Sequence, residues 1–176
     1  MNHQDHVNLL RGGIPSTGGI WADLGSGTGA FTLALADLLG DAGEIYSVDK
    51  DAGALREQER TMRARFPRTN VHYRTADMTA AFDTPLLDGV VIANALHFMR
   101  DKARVVQSIK RRLQPDGRLI LVEYNVDQGN MWVPYPLSYP TWQALADSCG
   151  FVKTKLLATV PSRFLGEIYS ALCLQS

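Results

Sequence analysis

Residues Asp23-Leu24-Gly25-Ser26-Gly27-Thr28-Gly29 set an acid two positions ahead of three glycines at alternate positions. Glycines so spaced let the main chain pass close to a ligand, and they reach positive φ without strain. An amphipathic run, Phe31 to Leu39, follows at once, so the turn opens into a helix whose first N–H groups lack intrahelical partners. A nucleotide-type ligand is the natural occupant. Gly25, Gly27 and Ala30 also satisfy the GxGxxA form of the dinucleotide fingerprint. Asp49 supplies the acid that this fingerprint wants about 20 residues further on. No Gly-Lys-Ser/Thr follows the glycines, which excludes a P-loop. Two acids separate the remaining readings. Asp23 can face a cationic group such as an amino acid ammonium and would be a poor neighbour for a pyrophosphate. Asp77 is placed to accept from an adenine amino group.

These residues need elements to position them. Gly19 to Leu24 reads as a first strand, and Ala30 to Leu39 as a helix stopped by Gly40. Glu44 to Val48 is a second strand, and Asp51 caps a helix to about Arg65, ahead of Pro67. Val71 to Arg74 is a short third strand. The continuous apolar core of Leu87 to Asn94 suits a fourth strand buried on both faces. Asp101 caps a helix over Lys102 to Leu113, Gln114 to Gly117 is a turn, and Arg118 to Tyr124 is a fifth strand. After a loop, Asn125 to Pro140, come a helix from Thr141 to Ser148 and a hairpin of Phe151 to Val160 with Glu167 to Leu174. Alternating strands and helices imply an α/β fold with a mostly parallel sheet covered on both faces. Ligands in such sheets bind at the carboxyl ends of strands. The glycine turn, Asp49, Asp77 and Asn94 each follow a strand, so they can converge on one rim.

In this order the motifs resemble those of the class I S-adenosylmethionine-dependent methyltransferases, from Gly18 to Leu174. Asp23 to Gly29 resembles their first motif. Ile45-Tyr46-Ser47-Val48-Asp49-Lys50 resembles the second, whose acid holds both ribose hydroxyls. Ala76-Asp77-Met78 resembles the adenine-contacting third, and Asp88 to Asn94 with Ala95-Leu96-His97-Phe98 the fourth. Leu113 to Leu119 resembles the turn into the fifth strand. The resemblance implies a three-layer Rossmann-like methyltransferase fold, with a mostly parallel seven-stranded sheet and an antiparallel C-terminal strand. It also implies S-adenosylmethionine as cofactor and S-adenosylhomocysteine as product. Cofactor contacts would come from Asp23, Leu24, Gly25, Ser26, Gly27, Thr28, Gly29, Asp49, Lys50, Asp77, Met78 and Asn94. One departure matters. Families that methylate amino groups of bases or glutamine carry Asn/Asp-Pro-Pro-Tyr in the fourth motif, whereas this chain has Asn94-Ala95-Leu96-His97. The residues that would stack on a planar amine are missing, so the expected acceptor is a small molecule and not nucleic acid.

Displacement of a methyl group from a sulfonium depends chiefly on positioning. A general base is needed only where the acceptor must lose a proton. His97, of a residue type that titrates ordinarily at about 6.5, follows the fourth strand at the rim. Glu123, near the end of the fifth strand, could act as a base or orient an amine. Both are candidate catalytic residues; the plainer alternatives are a histidine packed beside Phe98 and Met99, and a buried acid held by backbone donors. Tyr124 and Asn125 could hydrogen-bond a substrate. Residues 1–18 could cap the cofactor, and Met131 to Pro140 could contact the acceptor through Trp132, Tyr135 and Tyr139.

The chain has 176 residues, the size of one domain, with 45% hydrophobic and 20% charged residues, as in soluble globular proteins. Eighteen Lys and Arg balance 18 Asp and Glu, so no global field draws in nucleic acid or an anionic membrane. The cluster Arg56, Arg60, Arg63, Arg65 and Arg68 is diluted by Glu57 and Glu59 and reads as a solvated helix face. Cys149 and Cys173 form no metal or redox motif and read as buried free thiols suited to a reducing cytoplasm. No signal peptide or membrane-spanning run is apparent. The expectation is a cytoplasmic monomer or homodimer that uses no metal. Two alternatives are a non-catalytic, cofactor-binding regulatory or partner subunit of the same fold and an NAD-dependent oxidoreductase, against which the short chain counts.

Overall fold

The runs Val90-Val91-Ile92-Ala93 and Leu119-Ile120-Leu121-Val122 are apolar at every position because each feeds two cores. Val90, Ile92, Leu119 and Leu121 enter one, and Val91, Ala93, Ile120 and Val122 enter the other. A computed structural model describes residues 1–80 and 82–175. Its elements are α1 (His3–Arg11), β1 (Gly19–Leu24), α2 (Ala30–Leu39), β2 (Gly43–Asp49), α3 (Ala52–Arg65), β3 (Asn70–Thr75) and β4 (Leu87–Ala93). They continue with α4 (Lys102–Lys110), β5 (Leu113–Tyr124), α5 (Tyr139–Ser148), β6 (Phe151–Ser162) and β7 (Gly166–Gln175). Short 3-10 turns cover Gly40–Ala42 and Leu96–Phe98.

One seven-stranded sheet runs in the order β3-β2-β1-β4-β5-β7-β6. The pairs from β3 through β5 are parallel, and β7 is antiparallel to both neighbours. Helices α4 and α5 cover one face through Val105, Val106, Ile109, Trp142 and Ala146. Helices α1, α2 and α3 cover the other through Leu9, Leu10, Leu35, Leu39 and Met62. The chain steps outward from β1 to β3 and then returns to β4 on the other side of β1. A crevice therefore opens between the carboxyl ends of β1 and β4, where the two adjacent connections leave in opposite directions.

The expected elements lie where they were read, with four differences. The polar N-terminal stretch forms α1, capped by a reciprocal pair in which Asn2 and Asp5 each accept the other's backbone N–H. Its Val7, Leu9 and Leu10 are buried against α2 and β6, a spacing too short to stand out among the polar residues around it. Helix α4 ends at Lys110, short of the expected Leu113. The Gln114–Gly117 turn lies inside β5, where Asp116 takes φ 61° and the register against β4 slips between Leu87 and Gly89. Finally, α5 begins at Tyr139, since Pro140 is tolerated in the first turn of a helix.

Candidate active site

The glycine turn is built by contact as well as by backbone freedom. Gly25 has φ 76°, and a Cβ there would stand 2.6 Å from Ala95 Cβ and 2.8 Å from Met78 Cε. Gly29 has φ 90°, and a Cβ there would stand 2.4 Å from Gln58 Cγ. Only hydrogen fits at either position. Gln58 belongs to a buried polar cluster beneath the turn. Ser26 Oγ and Ser47 Oγ are 2.7 Å apart, and Gln58 Nε2 donates to Ser47 Oγ at 2.9 Å. Sequence reading missed Gln58 and Ser47, although Leu55, Gln58 and Met62 share the buried side of α3 at helical spacing.

Asp49, at the end of β2, is tied to the same turn: its Oδ2 accepts the Gly27 N–H at 2.8 Å and its Oδ1 the Asp51 N–H at 2.8 Å. Asp77 lies exposed after β3, where the Thr79 hydroxyl and backbone N–H hold its carboxyl below the usual range. Asp23 is fully buried on the α2 side and accepts from Thr32 Oγ1 at 2.7 Å. Burial raises its pKa to about 7 against the lowering effect of that hydrogen bond. Thr32 also escaped the sequence reading.

A cavity of about 260 Å³ opens where these elements meet. Gly25, Val48, Asp49 and Lys50 form one side, and Ala76, Asp77 and Met78 another. Asn94, Ala95, Phe98 and Met99 close it from the segment after β4. Asn94 sits at φ 50°, and its buried Oδ1 has no partner among the described residues. An orphaned acceptor in a cavity wants a ligand donor. Of the expected cofactor contacts, Gly25, Asp49, Lys50, Asp77, Met78 and Asn94 line this cavity. Leu24 is core, Ser26 belongs to the buried cluster, Gly27 binds Asp49, and Thr28 is exposed beside α1.

His97 and Glu123 come together at the ends of β4 and β5. His97 Nδ1 lies 2.9 Å from each Glu123 carboxylate oxygen, with only 4% of the His97 side chain exposed and none of Glu123. The carboxylate also accepts the His97 N–H at 3.2 Å and the Tyr124 N–H at 2.8 Å. An ionised Glu123 can only accept, which assigns the His97 proton to Nδ1, and Nε2 has no protein partner among the described residues. The His97 ring packs against Phe98 at 4.3 Å between centroids.

The three aromatic residues of the long loop part company. Trp132 is 70% exposed and Tyr135 38%, and the Tyr135 N–H donates to His97 O at 3.0 Å. Tyr139 sits half-buried in α5, edge-on to Tyr169 at 5.9 Å. None of the three lines the cavity.

Strand order 3-2-1-4-5-7-6, a glycine turn after β1 and acids after β2 and β3 define a class I S-adenosylmethionine-dependent methyltransferase fold. Residues 22–121 match the methyltransferase domain family, and the chain belongs to it. That membership sets aside the NAD-dependent alternative. The chain is 34% identical over 104 residues to the ubiquinone/menaquinone biosynthesis C-methyltransferase of Pasteurella multocida, covering 58% of this chain and 39% of that protein. It thus spans less than half the length of the curated relatives it matches. The fold is shared with the YcgJ protein of Bacillus subtilis, at TM-score 0.80 and 13% identity, covering 99% of each chain. It is shared also with the 1,6-didemethyltoxoflavin-N1-methyltransferase of Burkholderia thailandensis, solved with S-adenosylhomocysteine. There the TM-score is 0.77 at 16% identity, covering 99% of this chain and 78% of that one. The residues present suit that cofactor: a turn that excludes side chains, a carboxylate at the end of β2 able to accept from hydroxyl groups, and a buried amide oxygen awaiting a donor. Among the described residues, no helix is long and apolar enough to cross a membrane.

Proposed function

We propose that this chain transfers a methyl group from S-adenosylmethionine to a carbon atom of a small-molecule acceptor, with His97 as the base. When bound, the cofactor supplies an electrophilic methyl group on a sulfonium and leaves as S-adenosylhomocysteine. Asp49 holds the ribose, Asp77 and Met78 the adenine end, and Gly25 and Asn94 the amino acid portion. The carrying observation is the buried pair in which Glu123 accepts the His97 Nδ1–H at 2.9 Å. That bond orients the ring and leaves the Nε2 lone pair free to take a proton from the acceptor. A thiol or amine acceptor has little need of such a base, whereas a C–H flanked by carbonyl or phenolic groups must lose its proton. The acceptor carbon gains the methyl group, and its former proton resides on Nε2 until it passes to water. The relatives named C-methyltransferases support the same reading. Phe98, Trp132 and Tyr135 form the acceptor wall, and residues 1–18 buttress the glycine turn from the α2 side. We further place the chain in the cytoplasm as a monomer or homodimer that binds no nucleic acid. Its two free, buried cysteines support the reducing compartment.

The test is transfer of isotopically labelled methyl groups to a panel of 1,3-dicarbonyl and phenolic compounds, with products located by mass spectrometry and NMR. Product should carry the label on carbon, and His97→Ala and Glu123→Gln should each lower kcat by about 10²- to 10⁴-fold. Undiminished turnover in both variants would remove the base.

A further inference from the structure

Four aromatic rings form a row at the carboxyl ends of β4 and β5 and the turn that joins β6 to β7. Phe98 lines the cavity, and its ring centroid lies 4.3 Å from that of His97. The His97 and Tyr124 rings are 6.1 Å apart. Tyr124 in turn meets Phe164 at 5.9 Å, edge to face at 63°. The row thus starts at the cavity wall, passes the candidate base and ends on Phe164, in the turn between Ser162 and Gly166.

That turn is tied to the chain just after β5. The Asn125 N–H donates to Glu167 O at 2.9 Å, and Asn125 Nδ2 donates to Glu167 Oε1 at 2.7 Å. Within the turn, the Phe164 N–H donates to Ser162 Oγ at 3.2 Å. Phe98 is 55% exposed and Phe164 50%, and neither belongs to the two cores. Single exposed apolar side chains are ordinary, but a contiguous aromatic patch beside a reactive group marks a place for a ligand. The Tyr135 ring already has Arg100 and Lys102 each 5.5 Å from its centre. Among the described residues, no cation sits over Phe98, Tyr124 or Phe164.

We propose that Phe164 determines acceptor specificity: with Tyr124 it forms an acceptor wall next to His97 that takes the ring of a flat, uncharged aromatic acceptor. Successive rings of the row are tilted by 54°, 49° and 63°, so each offers an edge or a face to a guest ring. An aromatic acceptor gains ring–ring contacts there beyond the area it buries, and an aliphatic dicarbonyl of similar size does not. A charged acceptor would lose hydration against these rings without compensation. The inference rests on the methyl-transfer reading with His97 at the acceptor, and it narrows the acceptor to the aromatic class. It also gives the β6–β7 turn a part in the site.

The test is binding, measured on the full chain saturated with S-adenosylhomocysteine. The probes are 1-naphthol and, as its aliphatic counterpart, cyclohexane-1,3-dione, each titrated by ligand-observed NMR. Wild type should bind 1-naphthol more tightly than the dione. Phe164→Ala should weaken 1-naphthol by about three- to tenfold and leave the dione unchanged, while Phe164→Tyr should match wild type with both probes. Phe164→Leu keeps apolar bulk without a ring; it should show the same loss, and it serves should the Ala variant disturb the hairpin. Unchanged 1-naphthol affinity in the ringless variants overturns the proposal. So does an equal loss for both probes, since general damage to the site would then be responsible, and so does a wild type that prefers the dione. Full turnover in His97→Ala would remove the base and leave these binding constants standing, which keeps the two failures distinct.

Discussion

Asp49 Oδ2 accepts the Gly27 N–H at 2.8 Å, so the acid at the end of β2 and the glycine turn after β1 are one mechanical unit. A ligand that meets one meets both, although 22 positions separate them. Asp49→Ala should therefore weaken binding of S-adenosylhomocysteine by about 1–3 kcal/mol, the value of charge-assisted hydrogen bonds. Asp49→Asn should lose less, since its amide oxygen can still accept from Gly27. Calorimetric titration of the three proteins reads this directly; unchanged affinity in the Ala variant would refute the ribose assignment.

Gly25 and Gly27 both hold positive φ but differ in surroundings. A Cβ at Gly25 meets Ala95 and Met78 inside 3 Å, whereas a Cβ at Gly27 meets nothing within 4 Å. Left-handed backbone costs an L-residue about 1–2 kcal/mol at either position. Gly27→Ala should show that strain alone as a modest fall in Tm. Gly25→Ala should fall further and lose affinity for S-adenosylhomocysteine about tenfold or more, because its methyl group displaces two cavity walls. Equal behaviour of the two variants in thermal unfolding and titration would argue against a cavity at Gly25.

Asp23 should make stability depend on pH in a direction unusual for an aspartate. Its folded pKa, about 7, lies above the ordinary 3.8, so the folded state holds this proton more tightly than the unfolded chain. The contribution is complete below the unfolded value and is lost as pH rises through the folded one. Wild type should lose stability relative to Asp23→Asn between about pH 4 and about pH 7, because the amide has no proton to lose. Urea unfolding of both proteins across that range measures the difference. A constant gap would show that Asp23 is ionised throughout.

Much of the fold was legible because its signals are local. The run from Val90 to Ala93 could only be a strand covered on both faces, and Gly40 and Asp51 mark helix ends through their own backbone and side-chain chemistry. Helix α1 was not, since three apolar residues among polar neighbours carry a weak period until α2 and β6 supply the surface they bury against. The segment Gln114–Gly117 was read as a turn ahead of the fifth strand, which the structure instead begins at Leu113. That the segment lies inside β5 depends on hydrogen bonding to β4, a partner 26 residues earlier.

The site divides along the same line. By itself the sequence determined the family, the glycine turn and the acids after β2 and β3, because each lies within a few residues of the strand end that aims it. It also marked His97 and Glu123 separately. Only the tertiary structure decided that their side chains meet at 2.9 Å, that Gln58 fills the space Gly29 leaves, and that the Phe164 ring stands against Tyr124. The reason is physical. Strand-to-turn chemistry is written in neighbouring residues, whereas a contact between two strand ends depends on sheet order and register, which emerge when all seven strands pair.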